Sequence, residues 1–381
     1  ANTTYGNDQK IAILIDDATV GSEEIYRIGT QLFTDPFLYR RVEVLRGTIG
    51  SFEYGSGIVG GVVKMETKDA SDFTKGVTGF KVGQTIQGSS NGSGVVSSST
   101  LAWQPSERAE FLANYTYRTQ KDLKDGSDAV IGNSAFTTPS GLIKAKLTFG
   151  DADEHTATFS YTRTLADDKD VPYDTFNTTG GAFGNVDRVT DTSQAAFQYR
   201  YNPSDLDTVD LSATLSYADQ KIDYSYVPGS SFLEGTPSFG FLQNTVNANQ
   251  RYQTTKLTLK NVAKFETGAL SHELRAGVEL IRKERADNPT AAPGGTDNRQ
   301  AIFLIDKISS GGFTFTPALR FERSKVTSAG NFGTFENSAL MGGAALAGRM
   351  PLHAVATMGD RMVVRARRRE ALLHGEDGGC L

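Results

Sequence analysis

The chain has 381 residues, a formal net charge of −5, one cysteine and four histidines. The single cysteine excludes a disulfide framework and a metal site built on cysteines, and the slightly acidic balance gives no basic footprint for a nucleic-acid partner. No apolar run approaches the length of a transmembrane helix. Glycine, threonine, serine, tyrosine and phenylalanine are abundant and proline is scarce, a mixture typical of an all-β chain with many turns.

A glycine-rich stretch near the N-terminus raises the question of a nucleotide site. Residues 55–60 read GSGIVG, which fits the G-x-G-x-x-G pattern of dinucleotide-binding loops. Such a loop must open a helix, but residues 61–67, GVVKMET, are rich in glycine and β-branched residues and favour a strand. No acidic residue follows at about 20 positions to hold a ribose hydroxyl. We therefore predict a turn that joins two short strands in a crowded place.

From about residue 75 onward, apolar and polar residues alternate. In residues 109–118, AEFLANYTYR, the apolar and aromatic residues fall on one face, and Leu112 is the exception. The same period recurs in residues 142–149 (LIKAKLTF), 156–162 (TATFSYT) and 208–217 (TVDLSATLSY). A period of two with one polar face predicts β-strands that separate two different environments.

The connections between these strands alternate in length as well. About a dozen alternating segments, each a predicted strand and many of roughly ten residues, precede residue 347. Short polar turns are predicted at residues 104–107, 151–154, 202–205 and 266–268, and longer Gly-rich loops near residues 120–140, 166–190, 227–249 and 286–299. This arrangement predicts a bacterial transmembrane β-barrel. A soluble sandwich or propeller explains the alternation but not the one-sided loop lengths.

Residues 40–69, RRVEVLRGTIGSFEYGSGIVGGVVKMETKD, resemble the end of the plug domain of TonB-dependent outer-membrane receptors. The likeness rests on a Val-Glu-Val-x-Arg-Gly strand followed by a Tyr-Gly-x-Gly-x-x-Gly-Gly-Val segment. Glycine lets plug strands pass close to a barrel wall. The resemblance implies that two charged residues of the motif help to lock the plug to that wall, and a solvated surface pair is the alternative for them. The motif residues assigned to this structural role are Glu43, Arg46, Gly47, Tyr54, Gly55, Gly57, Gly60 and Gly61.

The resemblance implies an all-β fold in which a plug fragment precedes a partial barrel. We expect about 12 of the roughly 22 antiparallel strands of a plugged transmembrane barrel. The expected domains are residues 1–69 (C-terminal part of the plug), 70–347 (N-terminal part of the barrel) and 348–381 (an atypical tail). Within the family, residues 201–217, 265–284 and 313–325 are similar to the haem and haemoglobin receptor branch.

This branch implies a receptor and transporter for an iron-bearing ligand, haem or haemoglobin-derived haem, in the outer membrane of a Gram-negative bacterium. Its implied partners are the TonB energy-transducing complex, reached through a TonB box that would precede residue 1, outer-membrane lipid, and haem, a haem-carrying protein or a siderophore. Haem or a ferric chelate would be the cargo, so no cofactor and no catalytic residue is expected. The alternatives are a siderophore receptor of the same family, a passive porin or adhesin, and an outer-membrane hydrolase.

The four histidines give no evident haem ligand. His155 and His272 lie in or beside short turns, and His353 and His374 lie in the tail. We predict that none of the four binds iron, and the ligand-binding residues are not identified from the sequence.

Residues 348–381 break the strand pattern. The last aromatic residue is Phe335, and the tail holds three of the five methionines and the sole cysteine. We expect a frameshift here, and a basic amphipathic element at residues 361–373 is the alternative. About a dozen strands would leave unpaired edges in lipid. Because a closed barrel of that size is too narrow for a plug, we expect no transport by this chain alone.

Overall fold

The computed structural model describes residues 11–19, 35–46, 50–56, 58, 60–132, 134–173, 181–246, 249–286, 294–330 and 332–348. Residues 349–381 of the predicted tail (residues 348–381) therefore lie outside the described residues, as do two motif glycines, Gly47 and Gly57.

The N-terminal residues form a four-stranded sheet, called the small sheet below. Its strands are β1 (Ile11–Ile15), β2 (Ala18–Thr19), β3 (Tyr39–Arg46) and β4 (Gly61–Thr67), in the spatial order β2-β1-β4-β3. β1 pairs in parallel with β4, whereas β2 and β3 are antiparallel to their neighbours. β1 and β4 are the central strands, and their aliphatic runs supply most of the core of this sheet.

Short helices flank the strands of the small sheet. A 3₁₀ helix (Pro36–Leu38) precedes β3, α1 (Gly50–Tyr54) lies between β3 and β4, and α2 (Ser71–Thr74) leads away from the sheet. The glycine-rich stretch at residues 55–60, predicted as a turn, directly precedes β4, whereas α1, which comes before it, was not predicted from the sequence. No helix within the described ranges is long and apolar enough to cross a membrane.

Twelve longer strands form one antiparallel sheet, called the wall below. Its connections contain a hairpin of two short strands, β8 and β9, a 3₁₀ helix (Asn91–Ser93) and one α-helix, α3 (Phe239–Val246). In chain order the strands are β5 (Gly79–Ser89), β6 (Gly94–Ser106), β7 (Ala109–Gln120), β8 (Leu123–Lys124), β9 (Val130–Ile131), β10 (Phe136–Phe149), β11 (His155–Pro172), β12 (Asn185–Tyr201), β13 (Leu211–Tyr226), β14 (Gln250–Thr267), β15 (Leu270–Arg285), β16 (Gly295–Ser310), β17 (Phe313–Ser328) and β18 (Thr334–Gly348).

The predicted dozen strands and the predicted fold class are confirmed. Every strand of the wall pairs with its neighbour in the chain once β8 and β9 are set aside. At one end of the strands the connections are mostly tight, for example residues 268–269 and 311–312, and this end of the wall is called the short-turn end. The opposite end, called the long-loop end, carries longer connections such as residues 121–135 and 227–249.

The strands extend further toward the long-loop end than the sequence predicted. A loop was predicted near residues 166–190, yet β11 continues to Pro172 and β12 begins at Asn185. The outer face of this extension carries charged side chains such as Lys169. Its inner face carries the ion pair of Arg188 Nη2 and Asp168 Oδ2 at 2.9 Å beside a buried apolar cluster that includes Val186. The pattern of an apolar outer face and a polar inner face therefore stops there, while the backbone pairing continues.

The two faces of the wall differ as the alternation predicts. In β7, Phe111 and Tyr115 point outward and are exposed, whereas Glu110 and Leu112 point inward and are buried. Exposed aliphatic and aromatic side chains cover the outer face across the sheet: Val82, Ile143, Phe197, Leu215, Leu280, Ile302 and Phe321. Such an apolar outer surface is the pattern of a lipid-facing barrel strand.

The wall curves around the small sheet. α2 contacts β5 and β6, β2 contacts β12 and β13, and α1 contacts β16 and β17. The small sheet and its flanking helices thus touch both flanks and the middle of the wall. The inner face of the wall must therefore be concave. Among the described residues, β5 pairs with β6 alone and β18 with β17 alone, so these two strands are the edges of the wall.

Candidate functional site

Carboxylates of the small sheet and its connections meet lysines and arginines on the inner face of the wall. The contacts fall into two groups on opposite flanks. The first anchor joins Asp16, Asp35 and Asp69 to Arg118 on β7 and to Lys144 and Lys146 on β10. The second anchor joins Phe52, Glu53 and Ser56 to Lys260 on β14, Arg275 on β15, and Arg320 and Glu322 on β17.

Asp69 is the centre of the first anchor. Its Oδ1 lies 2.8 Å from Lys144 Nζ and its Oδ2 lies 3.6 Å from Lys146 Nζ. Lys144 Nζ also donates to the carbonyl oxygen of Thr67 at 3.1 Å. Burial by itself would raise the pKa of Asp69, but Lys144, Lys146 and Arg40 together hold that pKa below its ordinary value. Asp69 is therefore an ionised carboxylate at neutral pH.

The turn between β1 and β2 carries a second carboxylate toward the same flank. Asp16 and Asp17 have φ angles of 48° and 63°, a left-handed conformation that aspartate tolerates better than most residues. Asp16 accepts hydrogen bonds from the Thr67 amide at 3.0 Å and the Thr67 hydroxyl at 2.6 Å. Gln198 on β12 donates to the Asp16 carbonyl and to Asp17 Oδ2, each at 3.0 Å. These bonds fix the strained turn against the wall.

Asp35 attaches the segment before β3 to β7. Arg118 Nε lies 2.7 Å from Asp35 Oδ2, and the Asp35 side chain is fully buried. The other oxygen of Asp35 accepts the amide of Phe37 at 2.9 Å and so begins the 3₁₀ helix. Asp35 thus caps a helix and binds the wall with the same carboxylate.

Glu53 is the centre of the second anchor. Its two oxygens lie 2.9 Å from Lys260 Nζ and 3.3 Å from Arg275 Nη1. Burial opposes ionisation of Glu53 most strongly, yet Lys260 and Arg275 lower its pKa below the ordinary value. The position of α1 presents Glu53 and its neighbour Phe52 to β14–β17.

A buried charge network in the wall completes the second anchor. Arg320 Nη1 donates to the carbonyl oxygen of Phe52 at 3.2 Å, and Arg320 Nη2 lies 2.6 Å from both Glu279 and Glu322. Glu322 accepts the hydroxyl of Ser56 at 2.5 Å. Since Arg320 and Glu279 are inaccessible to solvent, these charges depend on one another for stabilisation.

Apolar contacts accompany each anchor. Near the first anchor, Leu38 and Ala70 pack against Leu112, Ala102 and Leu142 of the wall. Leu112, the exception to the alternation, is therefore an inward residue that contacts the small sheet. Near the second anchor, the ring of Phe52 packs in a cluster of wall residues: Phe303, Ile305, Ala318 and Met341.

Glu43 and Arg46, the two charged motif residues predicted to lock the plug to the barrel wall, lie on β3, at the edge of the small sheet. Glu43 is 47% exposed, and its carboxylate lies 3.7 Å from Arg41 Nη2 on the same strand. Arg46 ends β3 and is exposed. Their predicted contact with a barrel wall stays a prediction, and the described anchors use other residues.

The described motif glycines shape the small sheet itself. Gly61 has a φ of +117°, and a Cβ at this position would collide with the carbonyl oxygen of Leu45 on β3. Gly55 has a φ of +132° and follows Tyr54, which packs against the core of the small sheet. Gly60 is an exposed residue just before β4. The close neighbour of Gly61 is thus β3 rather than the wall. A nucleotide-binding loop needs a helix after its glycines, but here the strand β4 follows them.

The two described histidines lie at the short-turn end. His155 Nδ1 is 2.7 Å from the Tyr199 hydroxyl, and its ring stacks on Phe149 with centroids 5.1 Å apart. His272 Nδ1 is 2.8 Å from Asp306 Oδ2. The two histidines of the tail lie outside the described residues. Within the described part of the chain, no group of three or more His, Cys, Asp or Glu side chains could hold a metal ion.

Sequence reasoning missed the anchors because their partners are far apart in the chain. Glu53 and Lys260, for example, are 207 positions apart. One signal was available: Lys144 and Lys146 occupy the polar phase of an alternating strand, where a charge on the inner face needs a partner. The acidic partners in the N-terminal 70 residues could then have been proposed as a set, although not pair by pair.

The fold and the anchors together define an outer-membrane β-barrel wall with a separate body bound to its inner face. A family model described as "TonB dependent receptor-like, beta-barrel" matches residues 143–347, more than half of the chain. The chain belongs to this family of outer-membrane transport receptors.

Similar proteins agree with this assignment. TonB-dependent heme receptor A of Haemophilus influenzae is 26% identical over 354 residues, which cover 83% of this chain and 46% of that protein. The hemin receptor of Yersinia enterocolitica is 27% identical over 285 residues, which cover 74% of this chain and 38% of that protein. The chain thus spans less than half the length of these two relatives. The FrpB iron transporter of Neisseria meningitidis has a similar fold, with a TM-score of 0.70 at 19% identity over 89% of this chain and 54% of its own.

Proposed function

We propose that these residues are the C-terminal part of a plug and the first part of the barrel of a haem receptor that is driven by TonB. Residues 1–69 are the plug part, residues 70–347 the barrel part, and the small sheet is the described portion of the plug. The observation that carries the proposal is the buried attachment of the small sheet to the inner wall through Asp69 and Glu53. Two ionic anchors suit a body that must stay in place until an external force displaces it.

Haem is proposed as the cargo because the relatives described above are named heme and hemin receptors. In this proposal the ligand, free or delivered by a haem-carrying protein, binds at the long-loop end, and the TonB complex pulls on the plug from the short-turn end. The protein makes and breaks no covalent bond, so no catalytic residue is assigned. Glu43 and Arg46 are proposed to contact a part of the wall that the described strands do not include.

The test is deletion of the encoding gene in its own bacterium, followed by growth with haem as the sole iron source. We expect growth on haem to be lost, to return when the gene is restored, and to require TonB. Growth on ferric siderophores serves as the control and should be unchanged.

The alternatives give different outcomes. Loss of growth on one ferric siderophore with normal growth on haem would assign a siderophore receptor. Uptake that continues without TonB would indicate a passive pore. Product release by the purified protein without an energy source would indicate an enzyme.

A further inference from the structure

A groove crosses the outer face of the wall over β5–β7, β10 and β11. Its volume is about 420 Å³, which falls within the range of sites that bind small ligands. Two neighbouring rows of paired residues supply the outward side chains of this groove. The row nearer the short-turn end is apolar or aromatic throughout and consists of Val82, Leu101, Ala113, Ile143 and Tyr161. This part of the groove therefore favours hydrocarbon over water.

The next row toward the long-loop end contains a gap at Gly141. This glycine pairs with Tyr115 on β7 and with Arg163 on β11, so two long side chains stand on either side of a position that has none. The backbone does not require glycine here, because its φ is not positive and a Cβ would only touch the carbonyl oxygen of Asn114, at 3.8 Å. The gap therefore results from the missing side chain alone.

Arg163 forms the polar end of the groove. Its Nε and Nη2 donate to Asp191 at 3.0 and 2.7 Å, which orients the guanidinium and leaves the donors of Nη1 to other acceptors. Further toward the long-loop end the outer face is charged, for example where Lys169 pairs with Asp187. Arg163 thus lies where the apolar part of the outer face ends, which is the level of lipid headgroups on a barrel.

We propose that this groove is a specific binding site for a phosphate-bearing lipid of the outer membrane. One acyl chain lies over the apolar row and fills the gap at Gly141, and the lipid phosphate accepts hydrogen bonds from Nη1 of Arg163. The groups match because a phosphate offers acceptors and a guanidinium offers only donors. The acyl chain supplies the dispersion contacts that the apolar row lacks when the groove is empty.

The acyl-chain contact is tested by filling the groove. The full chain is purified from outer membranes, freed of lipid in detergent and titrated with phosphatidylglycerol, and native mass spectrometry counts the bound lipid. Gly141→Leu places a side chain in the gap. Ala145→Leu is the matched control, because it adds the same side chain to the outer face of β10 outside the groove. We expect Gly141→Leu to bind the lipid at least about tenfold more weakly than the unmodified protein or Ala145→Leu.

The headgroup contact is tested with a second lipid, a diacylglycerol that has the same acyl chains but no phosphate. We expect the unmodified protein to bind phosphatidylglycerol about tenfold more tightly than this lipid, because only the phosphate can accept the charge-assisted hydrogen bonds of Arg163. Arg163→Gln should bind the two lipids equally. Lys169→Gln removes a cation of the same outer face beyond the groove, so it should keep the preference for phosphate.

Three results would contradict the lipid site. Equal binding by Gly141→Leu and Ala145→Leu, or equal binding of the two lipids by the unmodified protein, would show that lipid covers the outer face only as a solvent. Displacement of the lipid by inorganic phosphate would show an anion site without an acyl-chain groove. Heat-modifiable migration in gels checks that every variant retains its barrel. Neither haem nor TonB takes part, so the result is independent of the proposed transport function.

Discussion

Glu53 shows how one carboxylate can hold two bodies together. It is 6% exposed, whereas Lys260 and Arg275 remain 25% and 36% exposed. The partners can therefore regain water if the carboxylate is lost, which reduces the penalty compared with a fully buried pair. Glu53 itself has no such compensation, and its ionisation depends on the two cations.

We expect Glu53→Gln to destabilise docking of the small sheet by about 1–3 kcal/mol, because the isosteric amide leaves two cations without a counter-charge. The measurement is the urea dependence of proteolysis within residues 1–74 of the folded protein. Glu66→Gln is the matched control: Glu66 pairs with Arg40 and Arg41, exposed residues of the same small sheet, so its loss should change docking by less than about 0.5 kcal/mol. Equal effects of the two substitutions would contradict the assignment of Glu53 to the second anchor.

The anchors also predict how docking depends on pH. Burial opposes ionisation of Glu53 and Asp69, but their cationic partners hold both pKa values below the ordinary ones. A carboxylate with a lowered pKa in the docked state stabilises that state fully above the unfolded-state pKa, and the stabilisation is lost as the pH falls through the docked-state pKa. The urea midpoint of docking should thus be constant from about pH 6 to 8 and should fall below about pH 4.5.

The control for this pH dependence is Glu53→Gln, which removes one of the two titrating groups. Its midpoint should start lower at neutral pH and decrease less steeply in acid. A midpoint that rises on acidification would show that these carboxylates are not held in their charged form.

At the scale of the strand, Leu112 is a residue of the wall whose side chain packs against the N-terminal body instead of following the alternation of β7. Its neighbours in β7 follow the alternation of a lipid-facing strand, and Leu112 alone places an aliphatic side chain on the inner face. There it packs with Leu38 of the 3₁₀ helix that precedes β3 and with Ala70, which precedes α2.

We expect Leu112→Ala to weaken docking by about 2–4 kcal/mol, through lost burial and the cavity that remains. Phe111→Ala removes a larger side chain from the outer face of the same strand and should leave docking unchanged. The same proteolysis assay distinguishes the two variants. Equal loss in both would indicate that β7 has been destabilised as a strand, rather than the contact.

The elements could be predicted from the sequence where the environment of each face is uniform. Along β7 and β10 the lipid on one side and the polar interior on the other produce a clean period of two. Near Pro172 and Asn185 the outer face becomes charged and the inner face combines an ion pair with buried apolar residues, so the pattern ended before the strands did. α1 was missed because its five residues carry no helical periodicity, and its position depends on Glu53 reaching a wall that lies some 200 residues later in the chain.

At the scale of the whole molecule, the apolar outer face of the wall predicts where charge is tolerated. Leu215 on β13 points outward and is 50% exposed, and Thr214 beside it points inward. We expect Leu215→Arg to lower the stability of the wall in lipid by about 2–4 kcal/mol, whereas Thr214→Arg should have a much smaller effect. Folding into lipid vesicles, followed by heat-modifiable migration, measures both, and equal tolerance would contradict the assignment of the lipid-facing side.

The antiparallel order of the wall has a consequence for its two edges. β5 runs from the short-turn end to the long-loop end, and β18 runs in the reverse direction. Neighbouring strands of such a sheet must alternate in direction. If antiparallel pairing continues throughout, the gap between β18 and β5 is therefore spanned by an even number of strands, zero included, whatever chain provides them. An odd set would place one parallel pair in an otherwise antiparallel wall.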